Sequence, residues 1–251
     1  MIKLKSSREA ELMRRAGRIA AAALALGGKM AKVGVTTREI DTCVHDFIRA
    51  QGAVPTFYNY HGFPGSICAS VNDQVIHGIP GQRSLCDGDI ISIDVGATKD
   101  GYIGDCAATF VVGKASPEAE RLIEVTRNSF FEGLKYAREG FRISDISHAI
   151  QSYVETNGFS VVREYVGHGV GSAMHEPPEI PNFGRPGHGA RLVRGMTLAI
   201  EPMVNMGTAA IRVLPDKWTV VTLDGRLSAH YENSILVTDG TPEILTTAGD
   251  L

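Results

Sequence analysis

The chain carries one long internal repeat, and that repeat limits its architecture more than any other feature. In a single register Gly34 matches Gly140, Ile40 matches Ile146, Val44 matches Ile150, Phe47 matches Tyr153, Ile48 matches Val154 and Gly52 matches Gly158. With the spacing lengthened by one position, Tyr60-His61-Gly62 meets Gly167-His168-Gly169, Gly88 meets Gly195, and Ile93-Asp94-Val95 meets Ile200-Glu201-Pro202. A segment beginning at Asp105 is echoed by Glu232-Asn233-Ser234-Ile235-Leu236-Val237 at a wider spacing, the extra length falling in a loop around Trp218. Two copies are too few for a solenoid. They fit an α+β body of pseudo-two-fold symmetry, in which antiparallel sheets join at the centre and helices cover one side. No linker rich in Pro, Gly or Ser divides the copies, so residues 1–251 read as one domain with pseudo-repeats at about 1–115 and 116–251.

Local signals agree with this plan. Ser6 with Glu9, and Thr36 with Glu39, have the spacing at which side chain and backbone cap each other at a helix start. They predict a long helix running toward Lys32 before Gly34, then a second ending at Gly52 with Ile40, Val44, Phe47 and Ile48 on one face. Ser116-Pro117 opens the matching helix of the second copy, expected to run toward Glu139. Ile90–Val95 and Ala107–Val112 read as a strand hairpin turned at Lys99-Asp100-Gly101.

Composition removes several classes of function. Lys plus Arg number 25 against 28 Asp plus Glu, and no basic block is present, which leaves no electrostatic footprint for nucleic acid. The longest apolar run, Ile19 to Gly28, falls well short of the roughly 20 residues a membrane span needs. No apolar signal core precedes Arg15, and Cys43, Cys68, Cys86 and Cys106 lack metal-type or framework spacing. Reduced thiols and a cytoplasmic location are expected.

The repeat places acids in apolar strands. Asp94 follows Ile90, Ile91 and Ile93; Glu201 follows Leu198, Ala199 and Ile200; Glu232 precedes Ile235, Leu236 and Val237. Any one of them alone could be an edge-strand or ion-paired residue. With Asp105 they form two symmetric pairs, which the axis would bring together. Four converging carboxylates repel unless protonated or neutralised by cations. Hard oxygen donors with one imidazole suit Mn, Fe, Co or Zn, and this many carboxylates can hold two such ions. His168, flanked by glycines, offers the imidazole. His175, further along the same segment, could donate to a reacting carbonyl, and His77, before Gly78 and Pro80, could be aimed into a cleft by a rigid turn. Taken alone, His168 fits an ordinary turn, His175 a structural histidine and His77 a surface loop.

In its motifs the chain resembles the type I methionine aminopeptidases, metallopeptidases with the pita-bread fold. The likeness spans nearly the whole chain through Asn72-Asp73, His77-Gly78-Ile79-Pro80, Asp87-Gly88-Asp89-Ile90, Ile93-Asp94-Val95, Gly104-Asp105, Gly167-His168-Gly169, His175-Glu176, Ile200-Glu201-Pro202-Met203, Trp218-Thr219 and Ser228-Ala229-His230-Tyr231-Glu232. The resemblance implies Asp94 on one metal, Asp105 and Glu232 bridging, and His168 with Glu201 on the other. It implies that a metal-bridging water attacks the first peptide bond, that Glu201 moves protons, and that His77 and His175 hold substrate. It puts Tyr60, Phe63, Cys68, Met174 and Trp218 around a pocket for methionine. Phe57, Phe63 and Met174 stand where bacterial relatives can hold Cys, Tyr and Phe. By the same likeness Asn72, Gln74 and Ser228 hold a Na or K ion.

The implied activity is removal of N-terminal methionine from nascent chains, preferably before a small residue, by a monomer that meets its substrates at the ribosome. The interval from Glu201 to Glu232 is too short for the helical insertion of type II enzymes. Two alternatives stay open here: a proline-directed aminopeptidase or dipeptidase of the same fold, and a metal-free binding protein.

Overall fold

A computed structural model describes residues 1–247. The first copy contains α1 (Ser7–Met30), α2 (Thr37–Ala50), β1 (Val54–Pro55), a 3₁₀ turn at Tyr60–Gly62, β2 (Ile67–Val71), β3 (Gln74–Ile76), β4 (Ile90–Lys99) and β5 (Tyr102–Val111). The second contains α3 (Pro117–Leu134), α4 (Ile143–Thr156), β6 (Ser160–Val161), β7 (Gly167–Gly169), β8 (Glu176–Ile180), β9 (Thr197–Ile200), β10 (Met203–Asn205), β11 (Ile211–Val213), β12 (Val220–Thr222), β13 (Ser228–His230), β14 (Glu232–Leu236) and β15 (Glu243–Ile244).

Nine strands from both copies form one antiparallel sheet, ordered β1-β4-β5-β14-β9-β7-β8 with β2 also on β4 and β15 on β14. At its centre β5 pairs with β14, Cys106 facing Asn233 and Ala107 facing Glu232. Cys106 and Asn233 stand at the same spacing in the chain as Asp105 and Glu232. The pseudo-two-fold axis therefore passes through this pair. Two three-stranded sheets, β13-β10-β6 and β11-β12-β3, flank the main one.

Alternation along the strands separates core from site. Ile91, Ile93, Val95 and Ala97 of β4 pack with Ile19, Ala20 and Ala23 of α1 and Val44 of α2. Ser92 and Asp94 therefore point to the opposite face. In the second copy Leu198 and Ile200 of β9 join Leu122 and Phe130 of α3 and Ile146 and Ile150 of α4. Ala199 turns the other way, into a cluster with Phe63, Cys68 and Met174. Where α1 crosses β5, Gly17 meets Gly104 so closely that a Cβ on Gly104 would lie 2.5 Å from the Gly17 nitrogen. No side chain fits there, and that approach sets the distance between helix and sheet.

Both expected capping boxes form, Ser6 with Glu9 and Thr36 with Glu39. The hairpin forms with longer strands than expected. Three expectations need correction. Helix α3 stops at Leu134 instead of running to Glu139. Gly133, which packs against Ile150, is a weak helix former, and beyond it the chain tightens through Tyr136 N–H to Gly133 O and Ala137 N–H to Leu134 O. Ala137 is thereby buried and Glu139 N–H bonds to Thr238 O. The segment around Trp218 is not a simple loop but joins the paired strands β11 and β12.

The third correction concerns the repeat itself. Ser92 and Ala199 are equivalent in the register that matches Asp94 with Glu201, yet Ser92 pairs with Ser70 and Ala199 pairs with His168. The counterpart of His168 is thus Ser70, not His61. His77 and His175 stand in the same register as Ser70 and His168. The first copy is longer between its second helix and this strand: Gly52 to Ser70 is a step of 18 and Gly158 to His168 a step of 10, an excess of eight.

Candidate active site

The sheet face away from the helices carries the acids. Asp94 projects from β4, Asp105 from β5 and Glu232 from the start of β14, while Glu201 follows the end of β9. Asp105 and Glu232 are almost completely buried. His168 enters from β7, its Nε2 3.5 Å from Glu201 Oε1 and 3.7 Å from Asp105 Oδ2. Its Nδ1 lies 2.9 Å from the Gly169 carbonyl oxygen. That oxygen only accepts, so Nδ1 carries the proton and the Nε2 lone pair faces the carboxylates.

A lone pair facing anionic oxygens is repulsive unless something positive stands between them. Asp94 Oδ1, both oxygens of Asp105 and Glu232 Oε1 are buried without hydrogen-bond partners. Burial, with mutual repulsion, pushes Asp94, Glu201 and Glu232 well above the ordinary carboxylate range, and burial raises Asp105 to about 7. Burial also lowers His168 to about 4, which keeps the ring neutral and able to ligate. Donor atoms of Asp105, His168 and Glu232 lie within 4.8 Å of one another, as do those of Asp94, His230 and Glu232. Two groups of hard donors sharing Glu232 fit a pair of divalent cations.

Sequence reasoning gives His230 no role of its own. It is buried, its Nε2 has no partner, and that atom lies 3.8 Å from Glu232 Oε2 and 3.9 Å from Glu201 Oε2. Its position just before Glu232, at the end of β13, was the available signal. Asn182 was also missed; its amide donates to the Glu201 carbonyl at 3.0 Å.

A cavity of about 340 Å³ opens above the acids. Tyr60, Phe63, Cys68, His77, Met174, His175 and Trp218 all line it, with Phe57, His61 and Tyr165 as additional walls. Tyr60 and Phe63 belong to the longer connection of the first copy. His77 follows β3 with φ of +57°, and Gly78 next to it approaches Ala69 so closely that a Cβ would collide with the Ala69 oxygen. The turn therefore fixes the direction of the ring, which stands edge-on to Tyr165 and Trp218. Tyr60 Oη lies 2.9 Å from His175 Nδ1, and the His175 ring is 4.4 Å from that of His168. Burial lowers His77 to about 4 and also lowers His175.

Asn72, Gln74 and Ser228 lie together outside the cavity. Ser228 N–H donates to Asn72 O at 2.9 Å and Val71 N–H to Gln74 Oε1 at 2.8 Å. All four cysteines are free; Cys68 and Cys106 are buried, Cys86 is exposed. Among the described residues no helix is long and apolar enough to cross a membrane.

The sequence profile of metallopeptidase family M24 matches residues 11–239. A methionine aminopeptidase of Clostridium acetobutylicum is 55% identical over 247 residues, covering 98% of this chain and 99% of the relative. Methionine aminopeptidase 1 of Bacillus subtilis is 54% identical over 246 residues, with 98% and 99% covered. The crystal structure of a methionine aminopeptidase from Thermotoga maritima superposes with a TM-score of 0.97 at 44% identity, covering 98% of this chain and 100% of that one.

Proposed function

The chain belongs to metallopeptidase family M24, and on that premise we propose that it removes N-terminal methionine from peptides and nascent proteins. The observation that carries this reading is the cluster of unpartnered buried carboxylates beside a neutral imidazole, at the floor of an apolar cavity. Asp94 would hold one divalent ion, Asp105 and Glu232 would bridge, and His168 with Glu201 would hold the second. When bound, such ions polarise a carbonyl and bring the pKa of water close to neutrality. Co, Mn, Fe and Zn all suit the donor set.

The protein's own groups do the rest. Glu201 takes the proton from the attacking water and returns it to the departing amine. With the Tyr60 hydroxyl donating to Nδ1, His175 presents a protonated Nε2 to the oxygen of the scissile carbonyl. His77, the symmetric counterpart of His175, lines the same cavity and orients the substrate. The thiol of Cys68, the thioether of Met174 and the rings of Phe63 and Trp218 surround a flexible methionine side chain with polarizable surface. The confined volume restricts the second residue to a small one.

Residues 1–251 are assigned to one catalytic domain, a reading supported by the nine-stranded sheet drawn from both copies. The carbonyls of Asn72 and Gln74 with Ser228 are assigned to a Na or K ion. The enzyme is assigned to the cytoplasm, as a monomer acting on chains emerging from the ribosome.

Hydrolysis of a Met-Ala-Ser peptide against an Ala-Pro peptide, with Mn, Co or Fe supplied, tests the activity. Preferential cleavage of the former, with Met-Gly substrates faster than Met-Leu, is expected. Preference for Ala-Pro would move the chain to the proline-directed branch; no cleavage with any metal would favour a binding protein.

A further inference from the structure

A buried ion pair joins the segment before α1 to the wall of the cavity. Lys5 Nζ lies 2.7 Å from Glu176 Oε2, and the two side chains are only 4% and 5% exposed. Glu176 directly follows His175, and Met174 precedes it. Lys5 is anchored by its own N–H, which donates to Gly195 O at 2.7 Å, next to the Ser6 cap of α1.

Residues 170–175, between β7 and β8, are otherwise held by the buried side chains of Val170 and Met174, by the Thr197 hydroxyl donating to Val170 O, by Tyr60 Oη beside His175 Nδ1 and by a few backbone bonds. Val170 N–H donates to Thr197 O, Gly171 N–H to Ala173 O, and Ile103 N–H to Gly171 O. Ala173 N–H reaches Glu176 Oε1 at 3.3 Å, so Glu176 holds the loop from within while Lys5 holds Glu176. The loop folds directly over the pair: a Cβ on Gly171 would lie 2.5 Å from Lys5 Cε and 2.6 Å from Glu176 Oε1. The far side of the same loop presents Met174 and His175 to the cavity.

We propose that the Lys5–Glu176 pair is a positioning device of the active site, by which the N-terminal segment holds the Met174–His175 loop at the distance that substrate binding and turnover require. This deepens the aminopeptidase reading and rests on it for its kinetic consequence. Two charges so far removed from water are stable only as a pair, and loss of one leaves the other buried without a partner. The loop then has to open to hydrate the remaining charge, and Met174 and His175 move with it. A displacement near 1 Å at a catalytic wall costs roughly a hundredfold in rate. Lys5 and Glu176 touch no substrate; they act through their neighbours.

The test compares the metal-loaded parent with Glu176→Gln, Lys5→Met and Lys5→Arg. Hydrogen exchange read by mass spectrometry over 170–176 is expected to quicken by at least about tenfold in the first two, and to stay near the parent in Lys5→Arg, whose guanidinium can still pair with the carboxylate. With Met-Ala-Ser peptide the first two are expected to show both a raised KM, through Met174, and a kcat lowered by at least about tenfold, through His175. A purely structural pair would lower kcat in step with the folded fraction and leave KM unchanged. Unchanged exchange and unchanged KM in folded, metal-loaded Glu176→Gln would overturn the proposal. If Lys5→Met does not fold, Glu176→Gln, which keeps its volume and an acceptor oxygen, decides alone. A parent that fails to cleave the peptide refutes the aminopeptidase reading, while the exchange measurement still judges the pair.

Discussion

Removing divalent metal makes stability depend on pH with a sign that the site itself dictates. Without cations, burial holds Asp94, Glu201 and Glu232 protonated far above the usual carboxylate range and moves Asp105 to about 7. In the unfolded chain the same groups ionise near pH 4. Between about pH 6.5 and 8 the folded state keeps protons that the unfolded state has already lost, so stability falls as pH rises through the folded values. The histidines work in the opposite sense. Burial lowers His77 and His168 to about 4 and His230 to about 3, so their contribution is present above the unfolded value near 6.5 and is lost only on acidification. Near pH 6.5 they therefore oppose the carboxylates, and this effect fades toward pH 8 as the unfolded imidazoles lose their protons. Each carboxyl protonated only in the folded state costs about 1.4 kcal/mol per pH unit, so two of the four give about 3 kcal/mol per unit. For a chain of this length that is roughly a 10 °C fall in Tm per unit. Circular dichroism melts in EDTA from about pH 6.5 to 8, repeated with saturating Mn or Co, measure it. The metal-free Tm should drop, most steeply toward pH 8, and the metal-loaded Tm should stay nearly level. A metal-free Tm that is flat or rises over this range would refute the reasoning.

Two substitutions probe other parts of the molecule. Asp105→Ala should lose both ions together, since a bridging carboxylate serves two sites, and elemental analysis finding one tightly held ion with normal turnover would contradict bridging. Gly104→Ala should destabilise by about 1–3 kcal/mol, because its Cβ would press on the backbone of Gly17 and neither element can yield cheaply; urea unfolding with an unchanged midpoint would show that α1 is free to shift.

The helix starts were legible because a capping box is a local device, and Ser6 with Glu9 states it within a single turn. The α3 end was not, because Leu134 terminates the helix through the fit of Gly133 on Ile150, a contact from another helix. The acids could be read because a carboxylate among Ile and Val has few explanations, and symmetry supplied the partners. The repeat failed at His61 because a fixed offset cannot see an insertion; strand pairing of Ser70 and His168 with equivalent residues reveals it. The equal steps from Ser70 to His77 and from His168 to His175 could have shown the correct alignment. His230 escaped because its importance lies in where Nε2 points, and spacing carries no such information.

An axis through the middle of a sheet treats both directions across it alike, and a peptide has a direction. The extra length ahead of Ser70 brings Tyr60 and Phe63 to the cavity from the first copy only, and the second copy alone offers an imidazole at the level of Ser70. Unequal connections thus give polarity to a symmetric frame. A peptide bound as proposed would insert its amino end in one orientation and find no equivalent seat in the other.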